Sequence, residues 1–314
     1  MIAIFFIIIA IKILWRDNYI ALLKEISFFD LLIAVILTFL LIVSSSYTLQ
    51  YLIFKQYKIK ISTIDTATLP LMMNFWGYII PFRGGILYSI LFLKAKYKVK
   101  LVDSTAINVY VQMVMFAFMG FLGLVYLAAH QRIISVLGAC SVMLVLNPLI
   151  VKLVNVMFQR FSAQPTSVVG KIQHLTNIVI DNSNSSFTDV RATSVVVIIL
   201  LARFFLRAVR YYWATLVFKI EIPFLSLIVL TLAIEFAMVT LRFSPGNLGI
   251  NELLSGAIVG MLGQASQEGI LIELFCRFAN LLLIFTAGLW AVLVNMKYFD
   301  VNTFKSLWSK VKAS

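Results

Sequence analysis

Residues 29–54 read FDLLIAVILTFLLIVSSSYTLQYLIF, a run of 26 residues whose only charged side chain is Asp30. A helix that spans a membrane needs about 20 consecutive, mainly apolar residues. Over the whole chain 62% of the residues are hydrophobic and 12% are charged. Soluble domains average about 45–50% apolar and about 25% charged residues. The sequence therefore predicts a helical membrane protein.

Similar apolar blocks continue along the chain and predict an all-α, polytopic transmembrane helical bundle of about eight spans, folded as a single integral membrane domain over residues 1–314. The other long blocks are 29–54, 105–128, 133–158, 193–218, 222–243 and 270–296, after a shorter one at 1–14, and Asn147-Pro148 interrupts 133–158. The first block has no basic n-region and no small-residue cleavage site, so we expect a helix there and not a removed signal peptide. Two further blocks, 67–93 and 244–263, are interrupted by proline and glycine, and we expect broken or re-entrant helices there.

Lysine and arginine are distributed unequally between alternate loops. One set contains 14 of them, in 54–66, 94–104, 159–192 and the tail 297–314, and the other set contains four, Arg16, Lys24, Arg132 and Lys219. Because basic loops stay in the cytoplasm, we expect a multi-pass protein of the plasma (inner) membrane with both termini, the loop 159–192 and the tail 297–314 cytoplasmic. This distribution of lysine and arginine requires segment 67–93 to enter and leave the membrane on one side, and segment 244–263 to cross it at least partly. A re-entrant course of 244–263 on another topology stays open.

Composition also excludes several classes of function. The net charge of +13 is explained by basic loops that face anionic lipid headgroups, so no nucleic-acid partner is expected. The two cysteines and two histidines form no metal-binding pattern, and neither a metal nor another cofactor is expected. No P-loop motif occurs and the longest loop is 159–192, so ATP-driven pumping by this chain alone is excluded.

Three arginines lie within the apolar block 193–218, where an ionised side chain costs roughly 2.5–3.5 kcal/mol. Arg203, Arg207 and Arg210 are spaced so that they share one face of a helix. Arg210 is followed by two tyrosines and Trp213 near the predicted external interface, where an arginine can extend to the headgroups. That explanation accounts for Arg210 and not for Arg203, which falls about mid-span.

Charged residues are also paired in later blocks. Glu235 and Arg242 are seven residues apart and share a helix face. Glu273 and Arg277 are four residues apart, a spacing suited to an intrahelical ion pair. For this second pair a structural role and a binding role are equally open.

Each proline and glycine interruption has a charge beside it, Arg83 at the first and Arg242 with Glu252 at the second. Non-helical backbone at membrane depth is tolerated where it is buried in protein or lines a polar cavity, and transporters use such breaks to direct helix ends at a substrate. Since arginine suits phosphate recognition, we predict an intramembrane anion site and no catalytic residue. The predicted substrate-binding residues are Arg83, Gly84, Arg203, Glu235, Arg242, Pro245, Gly246, Gly249, Glu252, Glu273 and Arg277.

The two interruptions resemble the motifs of a known family. Residues 81–88, PFRGGILY, with the basic stretch 94–100 look like its Pro-x-Arg-x-Gly-Glu motif, and residues 245–252, PGNLGINE, look like its Pro-Gly-Gly-x-Gly-x-x-Glu motif. Arg277 matches an arginine of the family's last long helix. This is the lysylphosphatidylglycerol synthase transmembrane (flippase-type) superfamily, which includes stand-alone membrane proteins and relatives linked to glycosyltransferases.

The resemblance implies a stand-alone membrane member that moves, or holds for a partner, a membrane lipid or a polyprenyl-phosphate-linked lipid. Two positions depart from the family pattern. The glutamate that ends the first motif is Ile86 here, after the matching Gly85, so coupling to protons or cations at that position is not implied, and Asn247 replaces the middle glycine of the second motif. No soluble aminoacyl-transferase domain is recognised in the 314 residues, and lysyl transfer is not expected.

The leading hypothesis is a lipid translocase, a flippase-like transporter, and not an enzyme. Arg83, Arg242 and Arg277 would neutralise the headgroup phosphate while the acyl chains stay in the hydrocarbon. Glu252 would accept hydrogen bonds or bind a cationic headgroup.

Two alternatives belong to other classes. The chain could be a membrane subunit or anchor that binds a glycosyltransferase or lipid-modifying enzyme of cell-envelope synthesis through the loop 159–192 and the tail. A membrane-embedded transferase using Glu235, Glu252 or Glu273 as acid or base ranks below it, since the loops contain no DxD-like metal pair. Assembly of the chain with copies of itself is left open.

Overall fold

The computed structural model describes residues 26–80, 84–129, 190–240 and 245–298, and no strand occurs within these ranges. The helices are α1 (Phe28–Tyr57), α2 (Thr63–Ile79), α3 (Gly84–Tyr97), α4 (Leu101–Ala129), α5 (Val190–Val217), α6 (Phe224–Thr240), α7 (Ile250–Met261), α8 (Ser266–Leu283) and α9 (Leu289–Asn295). A 3-10 turn at Pro245–Asn247 precedes α7, a π-helical segment at Ile284–Gly288 joins α8 to α9, and a second 3-10 turn covers Met296–Tyr298. The all-α prediction is confirmed.

Four stretches of the described residues are long and apolar enough to cross a membrane: Phe28–Tyr57, Asp103–Leu122, Arg191–Val217 and Ser266–Asn295. The prediction of a polytopic helical bundle is thus confirmed. The predicted spans at 1–14 and 133–158 lie outside the described residues, as do most of the loop 159–192 and most of the tail 297–314.

Serine and aspartate fix the start of the first two helices. The backbone N–H of Asp30 donates to Ser27 Oγ at 3.2 Å, and the Asp30 carboxylate accepts from the Ser27 N–H at 3.2 Å, which is a capping box. Ser62 caps α2 in the same way by accepting from the N–H of Asp65 at 3.2 Å. α1 ends at Lys58, whose backbone is left-handed with φ 58°. Local chemistry thus sets these boundaries.

The chain divides into two compact units, one of residues 1–91 and 198–295 and one of residues 92–197 and 296–314. The core of the first unit contains fully buried side chains from α5, α6 and α8, including Tyr211, Leu230 and Leu271. In the second unit the hydroxyls of Tyr110 and Thr193 lie 2.9 Å apart. The buried arginines and glutamates described below all belong to the first unit.

The first interrupted segment consists of two short helices. α2 has 17 residues and α3 has 14, which gives lengths of about 25 and 21 Å, below the roughly 30 Å of a hydrocarbon core. A side chain at Gly85, in the first turn of α3, would collide with the backbone oxygen of Met73 in α2. The glycine therefore allows the two backbones to touch just after the interval between the helices.

The helices α7 and α8 also pack at backbone distance. A Cβ at Gly256 would lie 2.9 Å from the backbone oxygen of Ser266, and one at Gly269 would collide with the backbone oxygen of Ser255. The Ser255 hydroxyl donates to the Gly269 carbonyl at 2.8 Å. Small residues of this kind, with a hydroxyl bond between the helices, are how membrane helices associate closely.

We expect Gly269→Ala to destabilise the protein by about 1–3 kcal/mol, because the methyl group must push α7 away from α8. The thermal unfolding midpoint of the purified chain in detergent measures this. Gly77→Ala in α2 is the matched control, since a Cβ there meets nothing within 4 Å and alanine favours a helix. Equal midpoints for both variants would contradict the packing argument.

Candidate functional site

The second interruption places three residues in the left-handed backbone region. Gly246 has φ 58°, Asn247 has φ 53° and Gly249 has φ 83°. Glycine adopts this region freely and asparagine tolerates it better than most side chains. The 3-10 turn therefore leaves backbone carbonyls that no helix satisfies, and these need partners inside the protein.

Arg277 of α8 supplies those partners. Its Nη1 donates to the Gly246 carbonyl at 2.9 Å and its Nη2 to the Asn247 carbonyl at 3.2 Å. Its Nε forms an ion pair with Oε1 of Glu252 in the first turn of α7, and the two side chains are only 6% and 3% exposed. Oε2 of Glu252 accepts from the Gly249 N–H at 2.8 Å. We call this set of contacts the Arg277 clamp.

The clamp corrects one prediction. Glu273 and Arg277 were expected to be spaced for an intrahelical pair, but Arg277 pairs with Glu252 on another helix. Glu273 instead accepts from the Tyr211 hydroxyl at 2.7 Å and from Asn251 Nδ2 at 3.5 Å. The reason is tertiary: the turn and α7 bring a carboxylate and two carbonyls to the Arg277 guanidinium, which offers several donors in a fixed fork.

The two interrupted segments meet at this site. Tyr78, near the end of α2, packs against the turn so closely that a Cβ at Gly246 would lie 2.5 Å from its ring carbon Cε1. The Tyr78 hydroxyl accepts from Asn280 Nδ2 of α8 at 2.8 Å. We call the contact between Tyr78 and Gly246 the break seam.

A second group of charges lies between α5 and α6. Nε of Arg207 is 3.0 Å from Oε1 of Glu235, and its Nη1 donates to the Met238 sulfur at 3.0 Å. The buried Nε of Arg203 has no hydrogen-bond partner. Arg210 is 7% exposed and its guanidinium lies 5.5 Å from the Tyr211 ring centroid. The expectation that Arg210 extends to the headgroups is therefore wrong, because it is enclosed by the protein.

The predicted site residues fall into three sets. Gly246, Gly249, Glu252 and Arg277 meet in the clamp, with Pro245 at the start of the turn and Glu273 one helical turn from Arg277. Arg203 and Glu235 belong to the group between α5 and α6, and Gly84 starts α3. Arg83 and Arg242 lie outside the described residues.

Arg207 and Asn247 were noted in the sequence without a site role, and four more residues at the site were not noted at all: Tyr78, Tyr211, Asn251 and Asn280. The two asparagines carry a usable signal, because a polar amide within an apolar helix needs a partner. The two tyrosines carry no such signal in the sequence, since tyrosine is common in membrane helices. Only the tertiary fold brings the Tyr211 hydroxyl to Glu273 and the Tyr78 hydroxyl to Asn280.

Residues 1–288 match the family model described as "Lysylphosphatidylglycerol synthase TM region". The chain belongs to this family. No curated protein and no solved structure matches it. Family membership together with the four apolar helices establishes a membrane protein, and the resemblance inferred from the two interruptions is confirmed.

The structure gives a physical reason for the glycine at position 85, which aligns with the glycine of the Pro-x-Arg-x-Gly-Glu motif. Any side chain there would collide with the Met73 backbone oxygen. In this chain the position serves close helix packing.

We expect Arg277→Met to destabilise the protein by about 3–5 kcal/mol, since it leaves the Glu252 carboxylate buried without its counter-charge. Glu252→Met combined with Arg277→Met should cost less than the sum of the two single changes. Unfolding midpoints of the three variants measure this coupling. Arg277→Lys should rescue only part of the loss, because an ammonium lacks the planar fork that contacts both carbonyls; additive effects of the two changes would contradict the clamp.

Proposed function

We propose that the chain is a lipid translocase that moves an anionic or lipid-linked headgroup through an arginine-lined intramembrane site. The observation that carries the proposal is the contact between the two interrupted segments at Tyr78 and Gly246, beside the buried ion pair of Arg277 and Glu252. Irregular backbone at membrane depth is characteristic of transporter substrate sites. Family membership supports a lipid-related role.

The charge balance of the site favours an anion. In the clamp and the group between α5 and α6 the described arginines are 203, 207, 210 and 277, whereas the glutamates are 235, 252 and 273; the buried Asp65 belongs to the first turn of α2. Arg277 and Arg207 are engaged in ion pairs, and the buried Arg210 lies against the Tyr211 ring. Arg203 is the half-buried cation of the four, and its Nε has no hydrogen-bond partner. A headgroup phosphate would provide the charge-assisted hydrogen bonds that this guanidinium lacks.

In the proposed translocase the arginines have different roles. Arg277 positions the turn through the clamp, and Arg203 binds the phosphate, together with Arg83 and Arg242 from the interruptions. The glutamates that an enzyme would need as acid or base are engaged, Glu252 by Arg277 and Glu235 by Arg207. That engagement favours transport over catalysis.

A flip assay tests the proposal directly. The purified chain is reconstituted in phosphatidylcholine vesicles with a trace of fluorescent phosphatidylglycerol, and dithionite quenching measures its movement between leaflets. We expect Arg203→Gln to slow this movement roughly ten- to hundredfold, the value of a charged hydrogen bond, and Arg83→Ala to slow it as well.

The matched control is Arg191→Gln, an exposed arginine on the same helix, which should move lipid at the wild-type rate. Variants are compared only where their unfolding midpoints equal that of the wild type. Wild-type rates from both Arg203→Gln and Arg83→Ala would overturn the arginine site, and no movement by the wild type would overturn the translocase.

We also propose an inner-membrane location with both termini cytoplasmic and α2 and α3 forming a re-entrant hairpin, on the basis of the basic loops. Lys60 and Lys100 are both exposed and flank the hairpin. Cysteines placed at these two positions should both react with an impermeant maleimide from the cytoplasmic side only. Labelling from opposite sides would show that the segment crosses the membrane.

A further inference from the structure

Three asparagines around the Arg277 clamp carry polar atoms that the protein leaves without partners. Nδ2 of Asn247, Oδ1 of Asn251 and Oδ1 of Asn280 are enclosed and have no hydrogen-bond partner. Asn247 and Asn251 are only 4% and 5% exposed. Each unsatisfied buried polar group costs about 1–3 kcal/mol, and native proteins contain few of them. Three at one site therefore call for a functional explanation.

The three asparagines are grouped around one stretch of α8, to which only Asn280 itself belongs. Asn251 contacts Glu273, which precedes Arg277 by four residues, and Asn247 carries the carbonyl bound by Nη2 of Arg277. Asn280 follows Arg277 by three residues. The stretch from Glu273 to Asn280 measures about 10 Å along the helix, so one headgroup could contact all three amides.

The orientation of the amide groups does not change this result. Every asparagine amide has one end that donates and one end that accepts. Asn280 uses one end of its amide for the Tyr78 hydroxyl. Turning the amide over would only exchange which end has no partner. The site therefore offers unpartnered amide groups in either orientation.

The surrounding charges are compensated, so the part of a ligand that meets these amides is uncharged. Glu252 is paired with Arg277, and Glu273 accepts two hydrogen bonds. An ammonium group, as in an aminoacylated headgroup, would need a free carboxylate that these two glutamates do not offer. Hydroxyl groups fit better, because each one both donates and accepts.

Asn247 supports this reading independently. Its backbone is left-handed with φ 53°, a conformation that glycine would adopt without strain. The left-handed backbone therefore does not require asparagine at this position, and the buried Nδ2 of the side chain has no hydrogen-bond partner. Such positions concentrate at ligand sites.

We propose that Asn247, Asn251 and Asn280 form a subsite for the uncharged, hydroxyl-bearing part of a phosphorylated lipid headgroup, a glycerol or a sugar. The subsite rests on the proposed translocase function and specifies its substrate class. Because the three atoms are enclosed in this arrangement, the subsite opens when Tyr78 moves away from Gly246 at the break seam. The headgroup hydroxyls then supply the missing hydrogen bonds.

Equilibrium binding tests the subsite without transport. Short-chain phosphatidylglycerol and phosphatidylmethanol carry the same phosphodiester charge, and only the first has free headgroup hydroxyls. We expect the purified full chain in detergent to bind phosphatidylglycerol roughly tenfold more tightly, the value of one or two net hydrogen bonds. Asn247→Gly should bring the ratio of affinities close to one without changing the affinity for phosphatidylmethanol, and Asn251→Leu should lower it as well.

Asn295→Leu is the matched control. Asn295 is a buried asparagine of α9 whose Nδ2 donates to the Ala291 carbonyl of its own helix at 2.9 Å, and its loss should leave the ratio unchanged. Equal wild-type affinities for the two lipids would overturn the subsite. So would an equal loss of both affinities in Asn247→Gly, which indicates a purely structural asparagine.

Two further experiments distinguish a sugar from a glycerol headgroup, and the subsite from the translocase function. Tighter binding of a polyprenyl-phosphate-linked hexose than of phosphatidylglycerol supports a sugar, and the reverse order supports glycerol. In vesicles, selective binding without movement of either lipid overturns the translocase and leaves the subsite standing. Movement of phosphatidylglycerol and phosphatidylmethanol at equal rates, with equal affinities, keeps the translocase and overturns the subsite.

Discussion

The guanidinium of Arg277 holds together the part of this protein that cannot be helical. A turn with three left-handed residues has carbonyl groups without helical partners, and at membrane depth each one is costly unless it is satisfied internally. Arg277 satisfies two of them and pairs with Glu252, whose second oxygen binds the Gly249 N–H. Because an isolated buried charge is also costly, turn, arginine and glutamate stabilise one another.

The clamp depends in turn on helices that touch at backbone distance. Gly256 and Gly269 bring α7 against α8, and Ser255 adds a hydroxyl bond between them. This places Glu252 and Arg277 on facing helices at contact distance. Lipid provides no hydrophobic force that drives two apolar helices together, so small residues and specific polar bonds determine which helices form such a pair.

Hydropathy alone predicts the described helices well, because an apolar run of 20 or more residues has few alternatives in a bilayer. Pro81 and Gly84 likewise predict where α2 ends, and Pro245 and Gly246 predict the turn before α7. Pro70 was also expected to break the helix, and that expectation is wrong, because α2 continues through it. The partner of Arg277 is not predictable in this way: the i, i+4 rule favours Glu273, and only the packing of α7 on α8 brings Glu252 closer. The prediction that Arg210 extends to the headgroups fails for the same reason. Its neighbours in the sequence suggest a membrane interface, whereas its neighbours in the fold enclose it.

These contacts also indicate where the site opens. Separating α7 from α8 would break the Arg277–Glu252 pair, the Ser255 bond and the close glycine packing, and would leave two charges buried without partners. The break seam is held by the packing of one tyrosine ring on Gly246 and by the hydrogen bond between Tyr78 and Asn280. Moving Tyr78 exposes uncharged amides and breaks no ion pair. A conformational change follows the boundary with the lowest cost, so Tyr78 should move away from the turn against a fixed α7–α8 pair, with the clamp intact throughout.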